Sequence, residues 1–288
     1  MSRMPMTVRR VDRVFPSVPT VEGAGVHLKR AFGYRQTPLL DPFLMLDDFH
    51  SSRPSEYMAG FPWHPHRGIE TITYVLEGLV EHGDSMGNTG IIGAGDVQWM
   101  TAGSGIIHQE MPRKSPTGTM WGFQFWANLP ASHKRMAPRY RDVPASTIPE
   151  LQLGGGIRVK LVSGRLQGVQ GPVQDIVIDP ELMDVTVPAG TVFEHTLKPG
   201  HTAFAYLLDG RGQFGERPGD SYGPETVVLL EKEGEGIRVC AGDAELRFLL
   251  LSGRPLGEPI AWRGPIVMNT EAELQQAFEE YRNGTFLR

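Results

Sequence analysis

Two short motifs, each with two metal-binding side chains two residues apart, constrain the fold of this chain most. The first places His64 and His66 on either side of a proline, and the second places His108 and Glu110 on either side of a glutamine. Because side chains on a β-strand alternate between its faces, each pair projects to one side of its strand. Two antiparallel strands would then bring three imidazoles and one carboxylate together. This donor set predicts one first-row transition metal, bound by His64, His66, His108 and Glu110.

The segment between the two motifs has the pattern of a hairpin-rich β-unit. Residues 69–76 and 97–100 are rich in β-branched and aromatic side chains, which is typical of strands, and glycine-containing turns separate them. Taken alone, either pair is more simply interpreted as structural histidines or as a loop around Pro65, since short motifs match by chance. Two pairs of the same parity in one β-unit favour metal binding.

The double motif resembles that of the cupin superfamily, in the form found in the pirin family. The usual cupin pattern takes its carboxylate from the first motif, where Glu70 would supply it. In the usual pattern six residues separate this acid from a glycine, whereas here seven residues separate Glu70 from Gly78. Counted back from Gly78, the position that faces the metal is therefore Thr71, and Glu70 turns to the opposite face of the strand. The second motif carries an acid of its own, Glu110, and that displaced acid is a mark of pirins. The resemblance therefore implies that the carboxylate ligand has moved to the second motif.

The likeness to pirins runs from about Gly25 to the C-terminus and so covers nearly the whole chain. It implies an all-β bicupin, which is two cupin-type β-barrels in tandem with a short C-terminal helix, and a metal only in the first barrel. The stretches that carry the likeness are 41–49, 64–71, 95–103 and 264–270.

A proline-spaced connector at 136–149 marks the boundary between the two expected barrels. We expect an N-terminal barrel with the metal at residues 1–145 and a C-terminal barrel with the terminal helix at 146–288. The runs 182–187 and 203–210 repeat the strand pattern of the first half, as an internal duplication predicts.

The second half does not repeat the ligands. In place of the first motif it has His195 and His201, which a Lys-Pro-Gly turn separates, and no histidine stands at 227–230 or 237–240. Two histidines split by a turn could still bind a metal weakly, but a structural role is the simpler interpretation. We expect the second barrel to hold no metal.

The last segment predicts the one clear helix of the chain. Thr270 and Glu273 have the spacing of a capping box, and Asn283 with Gly284 supplies a stop signal. We interpret the helix as a lid on one barrel, with partner binding as the alternative. Its expected apolar face consists of Leu274, Ala277, Phe278 and Tyr281.

Composition argues against several classes of protein. The 288-residue chain has no apolar run long enough to span a membrane, and residues 1–13 lack the apolar stretch of a secretory signal. The single cysteine, Cys240, excludes an internal disulfide and reads as a buried strand thiol. We therefore expect a cytoplasmic protein without membrane association, and a monomer.

Nucleic-acid binding is also disfavoured, because the net charge is −5 and no long basic cluster is available to neutralise phosphates. The basic residues that do cluster alternate with apolar residues and prolines, so we expect them on solvated surface and predict no direct contact with nucleic acid. They are Arg3, Arg9, Arg10 and Arg13 near the start of the chain, and Lys134, Arg135, Arg139 and Arg141 near its middle.

The predicted donor set leaves two positions open on a six-coordinate ion. That suits an ion that takes substrate and dioxygen together, so we expect Fe(II), with Cu, Mn, Ni, Co or Zn as alternatives. The resemblance implies a dioxygenase of the quercetin 2,3-dioxygenase type, in which Glu110 is also the catalytic base for a small aromatic substrate. The side chains expected to line its pocket are Phe43, Met45, Phe49, Trp63, Trp99 and Met111.

The resemblance also implies a non-enzymatic alternative, an iron-dependent and redox-responsive regulator that binds a transcription regulator or a metabolic enzyme. Arg67, Gly68 and the charge around Lys114 would then form the face for a protein partner, although the same residues could be structural. The metal is expected under both hypotheses. The open coordination positions favour the oxygenase.

Overall fold

The computed structural model describes residues 6–216 and 219–287, so Arg3 lies outside the described residues. These residues form antiparallel strands, short 3-10 turns and one α-helix. The first strands along the chain are β1 (Val11–Pro16), β2 (Val18–Glu22), β3 (Val26–Phe32), β4 (Phe43–Ser51), β5 (Phe61–His66), β6 (Ile69–Glu77), β7 (Leu79–Asp84), β8 (Thr89–Ile92), β9 (Val97–Thr101), β10 (Ile106–Arg113), β11 (Met120–Asn128) and β12 (Arg139–Val143).

Fourteen more strands follow in the described residues, and the helix comes after them. They are β13 (Glu150–Gln152), β14 (Arg158–Ser163), β15 (Arg165–Leu166), β16 (Val169–Gln170), β17 (Glu181–Val187), β18 (Val192–Thr196), β19 (Thr202–Asp209), β20 (Gly212–Phe214), β21 (Ser221–Tyr222), β22 (Thr226–Leu230), β23 (Gly236–Ala241), β24 (Leu246–Gly253), β25 (Ala261–Arg263), β26 (Ile266–Met268) and the helix α1 (Glu271–Arg282).

The chain divides into two compact units. One, the metal-site unit, contains Val18–Thr147 and the C-terminal segment from Leu256, and the other, the second unit, contains Ile148–Pro255 and the N-terminal segment that ends at Ser17. The metal-site unit has a seven-stranded sheet in the order β12-β9-β6-β11-β4-β3-β2 and a four-stranded sheet in the order β5-β10-β7-β8. The second unit has the matching sheets β1-β22-β19-β24-β17-β14-β13 and β18-β23-β20-β21. The repeated topology confirms two cupin-type barrels.

In each unit the core lies between the two sheets, because both sheets present apolar side chains to the space between them. In the metal-site unit, Val26, Val75 and Val80 come from both sheets and belong to one buried cluster. In the second unit, Val185 and Phe193 do the same.

At both chain ends, the compact units differ from the contiguous domains 1–145 and 146–288 that we expected from the sequence. At the start of the chain, β1 pairs with β22 and completes the edge of the large sheet in the second unit, where β12 occupies the corresponding edge of the other. At the end, the C-terminal segment packs in the metal-site unit. The pattern of strands along a sequence does not reveal such an exchange of ends, because strand pairing is set by contacts distant in sequence.

The C-terminal helix forms where its capping signals predict. Thr270 caps α1, its hydroxyl accepts a hydrogen bond from the backbone of Glu273, and the Glu273 carboxylate accepts one from the backbone of Thr270. Leu274 and Ala277 are buried in a cluster with Met268 of β26. The described part of the chain contains no helix with the length and apolar content to cross a membrane.

Two basic residues that we expected on the surface are buried, so that expectation is wrong for them. Arg9 and Lys134 are each 1% exposed. The Arg9 guanidinium donates to the carbonyls of His201, Lys198 and Gly234 within the second unit, at 2.7–3.3 Å. A long basic side chain can satisfy several buried carbonyls at once, and the sequence pattern does not distinguish this from solvation.

Candidate metal centre

The two predicted ligand motifs lie on neighbouring antiparallel strands. His64 and His66 end β5, which pairs with β10, and His108 of β10 is directly opposite His64. The register then shifts, so that Glu110 is opposite Phe61. The strand parity that places two histidines on one face therefore also aims them at the histidine of the partner strand.

The three histidine rings converge on one point. The Nε2 atoms of His64 and His66 are 3.0 Å apart, and those of His64 and His108 are 2.9 Å apart. Within the described residues, these three side chains form a group whose ligand atoms all lie within 4.8 Å of one another. Three nitrogens aimed at one point cannot all be satisfied by mutual hydrogen bonds, because each neutral ring carries only one N–H.

The opposite nitrogens of two rings fix the tautomer that a metal needs. His64 Nδ1 lies 2.8 Å from the carbonyl oxygen of Pro62, and His66 Nδ1 lies 3.1 Å from that of Pro265. Carbonyl oxygens only accept, so both Nδ1 atoms carry the proton and both Nε2 atoms present a lone pair. Burial also holds the pKa values of His66 and His108 well below the usual range, which keeps these rings neutral. The donor set fits a divalent transition metal.

Glu110, the predicted fourth ligand, follows His108 on β10 and is buried. It lines the same cavity as His64 and His66, and its Oε1 accepts a hydrogen bond of 2.8 Å from Thr73 Oγ1. Burial raises the pKa of Glu110 to about 7, while the hydrogen bond from Thr73 lowers it. The structure brings the three histidines together as one group, and the role of Glu110 as a ligand stays a prediction.

Thr73 was not anticipated from the sequence, and it links Glu110 to Gln124. Its hydroxyl oxygen is 2.8 Å from Glu110 Oε1 and 2.8 Å from Gln124 Oε1. A hydroxyl has one proton and cannot donate to both oxygens at once, so either the Gln124 amide presents its NH₂ to Thr73 or Glu110 carries the second proton. Thr73 therefore supports the Glu110 carboxylate in either protonation state.

Glu70, the acid of the usual cupin motif, faces away from this centre. Its carboxylate accepts hydrogen bonds from Thr101 Oγ1 at 2.7 Å and from Trp99 Nε1 at 3.2 Å, both on β9. Arg139 lies 3.9 Å from the same carboxylate. This orientation agrees with the parity prediction and removes Trp99 from the expected pocket wall.

A cavity of about 790 Å³ opens at the histidine group. Of the expected pocket residues, Met45, Phe49 and Trp63 line it. The sequence did not point to its main aromatic wall, in which ring centroids are 5.1 Å apart for His66 and Trp126, 5.9 Å for Trp126 and Trp262, and 5.6 Å for Trp262 and Tyr34. Apolar concave walls with a few convergent polar groups are typical of sites for small organic ligands.

The C-terminal segment supplies part of the centre. Besides Pro265 at His66, it contributes Trp262 to the cavity. The buried Lys134 ammonium donates to the carbonyls of Gly68 and Val267 and to Asn128 Oδ1, at 2.6–3.0 Å. These bonds tie the turn after His66 to β26.

Arg67, offered by the sequence as either a partner face or a structural residue, is 1% exposed. Its guanidinium donates to Ser104 O, Glu280 Oε2 and Phe286 O at 2.6–2.8 Å, and it lies 4.1 Å from the centroid of the Phe286 ring. Arg67 therefore binds the C-terminal helix, through Glu280, and the residues after that helix, through Phe286, at a position next to His66 in the chain. A buried guanidinium offers nothing to a partner surface.

The histidines of the second unit have different neighbours. His195 Nε2 lies 3.6 Å from a Glu181 oxygen, and His201 Nε2 lies 3.9 Å from an Asp179 oxygen. Each ring thus faces its own carboxylate. That this barrel holds no metal stays a prediction.

Comparison with known proteins agrees with the fold and the motifs. A pirin-like protein from Caulobacter vibrioides is 43% identical, over 98% of this chain and all of that protein. A protein from Pseudomonas aeruginosa named "Putative quercetin 2,3-dioxygenase" is 43% identical over 92% of this chain and 94% of its own length. A crystal structure of quercetin 2,3-dioxygenase from Acinetobacter baumannii matches with a TM-score of 0.89 and 30% identity, over 97% of this chain and 98% of that one.

Family models give the same result for both halves of the chain. The pirin model matches residues 25–127, which include the histidine group, and the model of the pirin C-terminal cupin domain matches residues 182–287. Together with the near full-length relatives, these matches show that the chain belongs to the pirin family.

Proposed function

We propose that this protein is a metal-dependent dioxygenase that acts on quercetin-like flavonols, with its metal held by His64, His66, His108 and Glu110. The observation that carries the proposal is the convergence of three histidine Nε2 atoms at an aromatic cavity of about 790 Å³. The names of two similar proteins, from Pseudomonas aeruginosa and Acinetobacter baumannii, support the substrate class.

Fe(II) is the ion we propose first, with Cu, Mn, Ni, Co or Zn as alternatives, because imidazole and carboxylate donors with open positions suit non-haem iron. When bound, the ion supplies Lewis acidity toward the oxygens of the substrate and the one-electron chemistry that dioxygen requires.

The residues of the chain orient the flavonol and accept its proton. The flat ring system fits against Trp126 and Trp262, whose rings enclose the cavity next to His66. Glu110 is the base for the flavonol hydroxyl, since its carboxylate lines the cavity and Thr73 fixes its position. The surrounding apolar wall limits water at this point.

Oxygen uptake with quercetin, followed together with the loss of its visible absorbance, tests the proposal. The metal-loaded protein should be faster than apo protein and faster than free metal at equal concentration. The free-metal control is needed because free iron and copper oxidise flavonols unaided. Glu110→Gln brought to full metal occupancy should be about 10²–10⁴-fold slower, the usual contribution of a positioned base. A wild-type rate equal to that of free metal across several ions would refute the enzymatic proposal.

The regulator remains as a second candidate because of one observation. Arg67 follows His66 directly and holds Glu280 of α1 and the Phe286 carbonyl, so a change at His66 has a direct route to the C-terminal helix. Hydrogen exchange of α1 in Fe(II)-loaded and Fe(III)-loaded protein distinguishes the candidates. A change of protection with oxidation state, combined with no catalysed oxygen uptake, would favour the regulator and a protein partner.

A further inference from the structure

A row of polar side chains crosses the inner face of the large sheet in the metal-site unit. Arg30 of β3 is directly opposite Asp47 of β4, Asp47 is opposite Gln124 of β11, and Gln124 is opposite Thr73 of β6. Directly opposite residues share a face, so the four side chains form one line that begins at Thr73, the partner of Glu110. The row therefore joins the carboxylate at the histidine group to an ion pair farther along the cavity wall.

The ion pair at the other end of the row is held in one geometry. Arg30 Nε and Nη2 donate to the two oxygens of Asp47 at 2.8 and 2.7 Å, and Nη1 donates to Glu22 Oε1 at 2.9 Å. These bonds use three of the five N–H groups of a guanidinium, and each carboxylate oxygen can accept a further hydrogen bond. Arg30, Asp47 and Glu22 all line the cavity, so the pair presents both a donor and an acceptor to whatever lies there.

The second unit contains a matched pair that does not line this cavity. Arg247 donates to both oxygens of Asp184 at 2.9 and 2.6 Å. The exposed fractions of the side chains are 28% and 2%, against 28% and 5% for Arg30 and Asp47. A bidentate pair of this kind can thus be structural. What distinguishes the Arg30 pair is that it borders the cavity that contains the histidine group.

We propose that Asp47, positioned by Arg30, binds a phenolic hydroxyl on the part of the substrate that lies away from the metal, and so determines specificity. This inference deepens the proposed function and rests on it. A phenol both donates and accepts, so one hydroxyl can donate to Asp47 and accept from Arg30. A ligand without that hydroxyl displaces water from the pair and leaves it unsatisfied, which is why sites built to bind a hydroxyl reject analogues that lack it.

The test measures binding, with quercetin and the parent flavonol as probes. The parent flavonol keeps the adjacent hydroxyl and carbonyl that would bind metal but has no other hydroxyl. All five tryptophans lie in the metal-site unit, so quenching of their fluorescence reports binding there. Wild-type protein loaded with redox-inert Zn²⁺ should bind quercetin about tenfold more tightly than the parent flavonol, the usual effect of a hydrogen bond to a charged group.

Asp47→Asn should reduce this ratio to about twofold or less, since it removes the charged acceptor while keeping the size of the side chain. Arg30→Gln, which removes the positioning group, should do the same and serves if Asp47→Asn fails to fold. Asp184→Asn is the matched control and should leave the ratio unchanged.

An unchanged ratio in folded Asp47→Asn and Arg30→Gln would overturn the inference, and so would an equal fall in Asp184→Asn or a wild-type ratio near one. Failure of the proposed dioxygenase activity is a separate result, because it would appear as no catalysed oxygen uptake with the binding ratio intact.

Discussion

Replacement of Lys134 by methionine tests how the turn after His66 is held. Lys134 is 1% exposed, and its ammonium donates to Gly68 O at 2.9 Å, Asn128 Oδ1 at 2.6 Å and Val267 O at 3.0 Å. Lys134→Met fills a similar volume but removes all three donors. Gly68 O keeps one donor, the backbone N–H of Leu129 at 3.3 Å. Each buried acceptor left without a donor costs about 1–3 kcal/mol, and loss of the buried charge offsets part of that cost.

The pH dependence of this effect has a defined sign. Burial lowers the pKa of Lys134 from 10.5 to about 7 in the folded state. Between these values the unfolded chain binds one more proton than the folded chain at this side chain, so the stability of the wild type rises with pH across that window. At about 1.4 kcal/mol per unit of pH, the gain between pH 6.5 and 9 is about 2.5 kcal/mol. The neutral amine has only two N–H groups for three acceptors, which opposes deprotonation and makes this value an upper estimate.

Urea unfolding followed by tryptophan fluorescence measures this effect in the metal-site unit. The free energy of unfolding of the wild type should exceed that of Lys134→Met at both pH values, and the difference should widen by up to about 2.5 kcal/mol from pH 6.5 to pH 9. Lys114→Met, which alters an exposed lysine of the same unit, controls for the general effect of losing a positive charge. A difference that stays constant or narrows with pH would show that the three acceptors keep the ammonium charged, and would refute the argument.

Three further predictions concern the metal. His66→Ala should lose stoichiometric metal and lower the melting temperature measured in excess metal, because an ion that binds only the folded state stabilises it; full occupancy in this variant, by metal analysis, would contradict the site. Glu70→Gln should keep nearly all of its metal, whereas Glu110→Gln should bind the metal at least tenfold more weakly in competition with a chelator. Weaker metal binding in Glu70→Gln than in Glu110→Gln would mean that the ordinary cupin ligand set applies. The double variant His195→Ala, His201→Ala should keep the metal-to-protein ratio of the wild type at one, and a fall from two to one would place a second ion in the second barrel.

The histidine group was predictable because strand parity is a local property. His64, His66 and His108 needed only two facts, the spacing of two residues and the antiparallel pairing of their strands, and both are visible in a single hairpin-rich segment. The orientation of Glu70 followed from the same parity, and the capping box of Thr270 and Glu273 fixed the start of α1. These predictions depend on short-range geometry, which the chain specifies wherever it forms a strand or a helix.

The surroundings of the histidines were not predictable because they come from distant parts of the chain. Pro265, Lys134 and Trp262 lie about 70 to 200 residues from His66 in the sequence. Nothing in their local sequence indicates that they contact His66 itself, the turn that follows it or the neighbouring Trp126. Arg67 illustrates the same difficulty, since an arginine in a turn beside two ligands has the sequence features of an exposed residue but is 1% exposed. The contacts that bury it belong to Glu280 and Phe286 at the end of the chain.

The polar row shows why the cavity wall is harder to predict than the metal ligands. In β6, Glu70 and Thr73 lie on opposite faces, and both are buried, so alternation of polar and apolar residues does not mark an inner and an outer face there. A polar residue in a strand is ordinarily assigned to solvent. Thr73, Gln124 and Asp47 lie on the inner face instead, and each is stabilised by a partner on the neighbouring strand or on β10. An inward polar row is unfavourable for a simple core, because buried polar groups require partners. In a barrel whose inner face is the wall of a binding cavity, a ligand can be one of those partners. If Asp47→Asn changes ligand preference while Asp184→Asn does not, the row is there for recognition, and the buried polarity of β6, β11 and β4 follows from function.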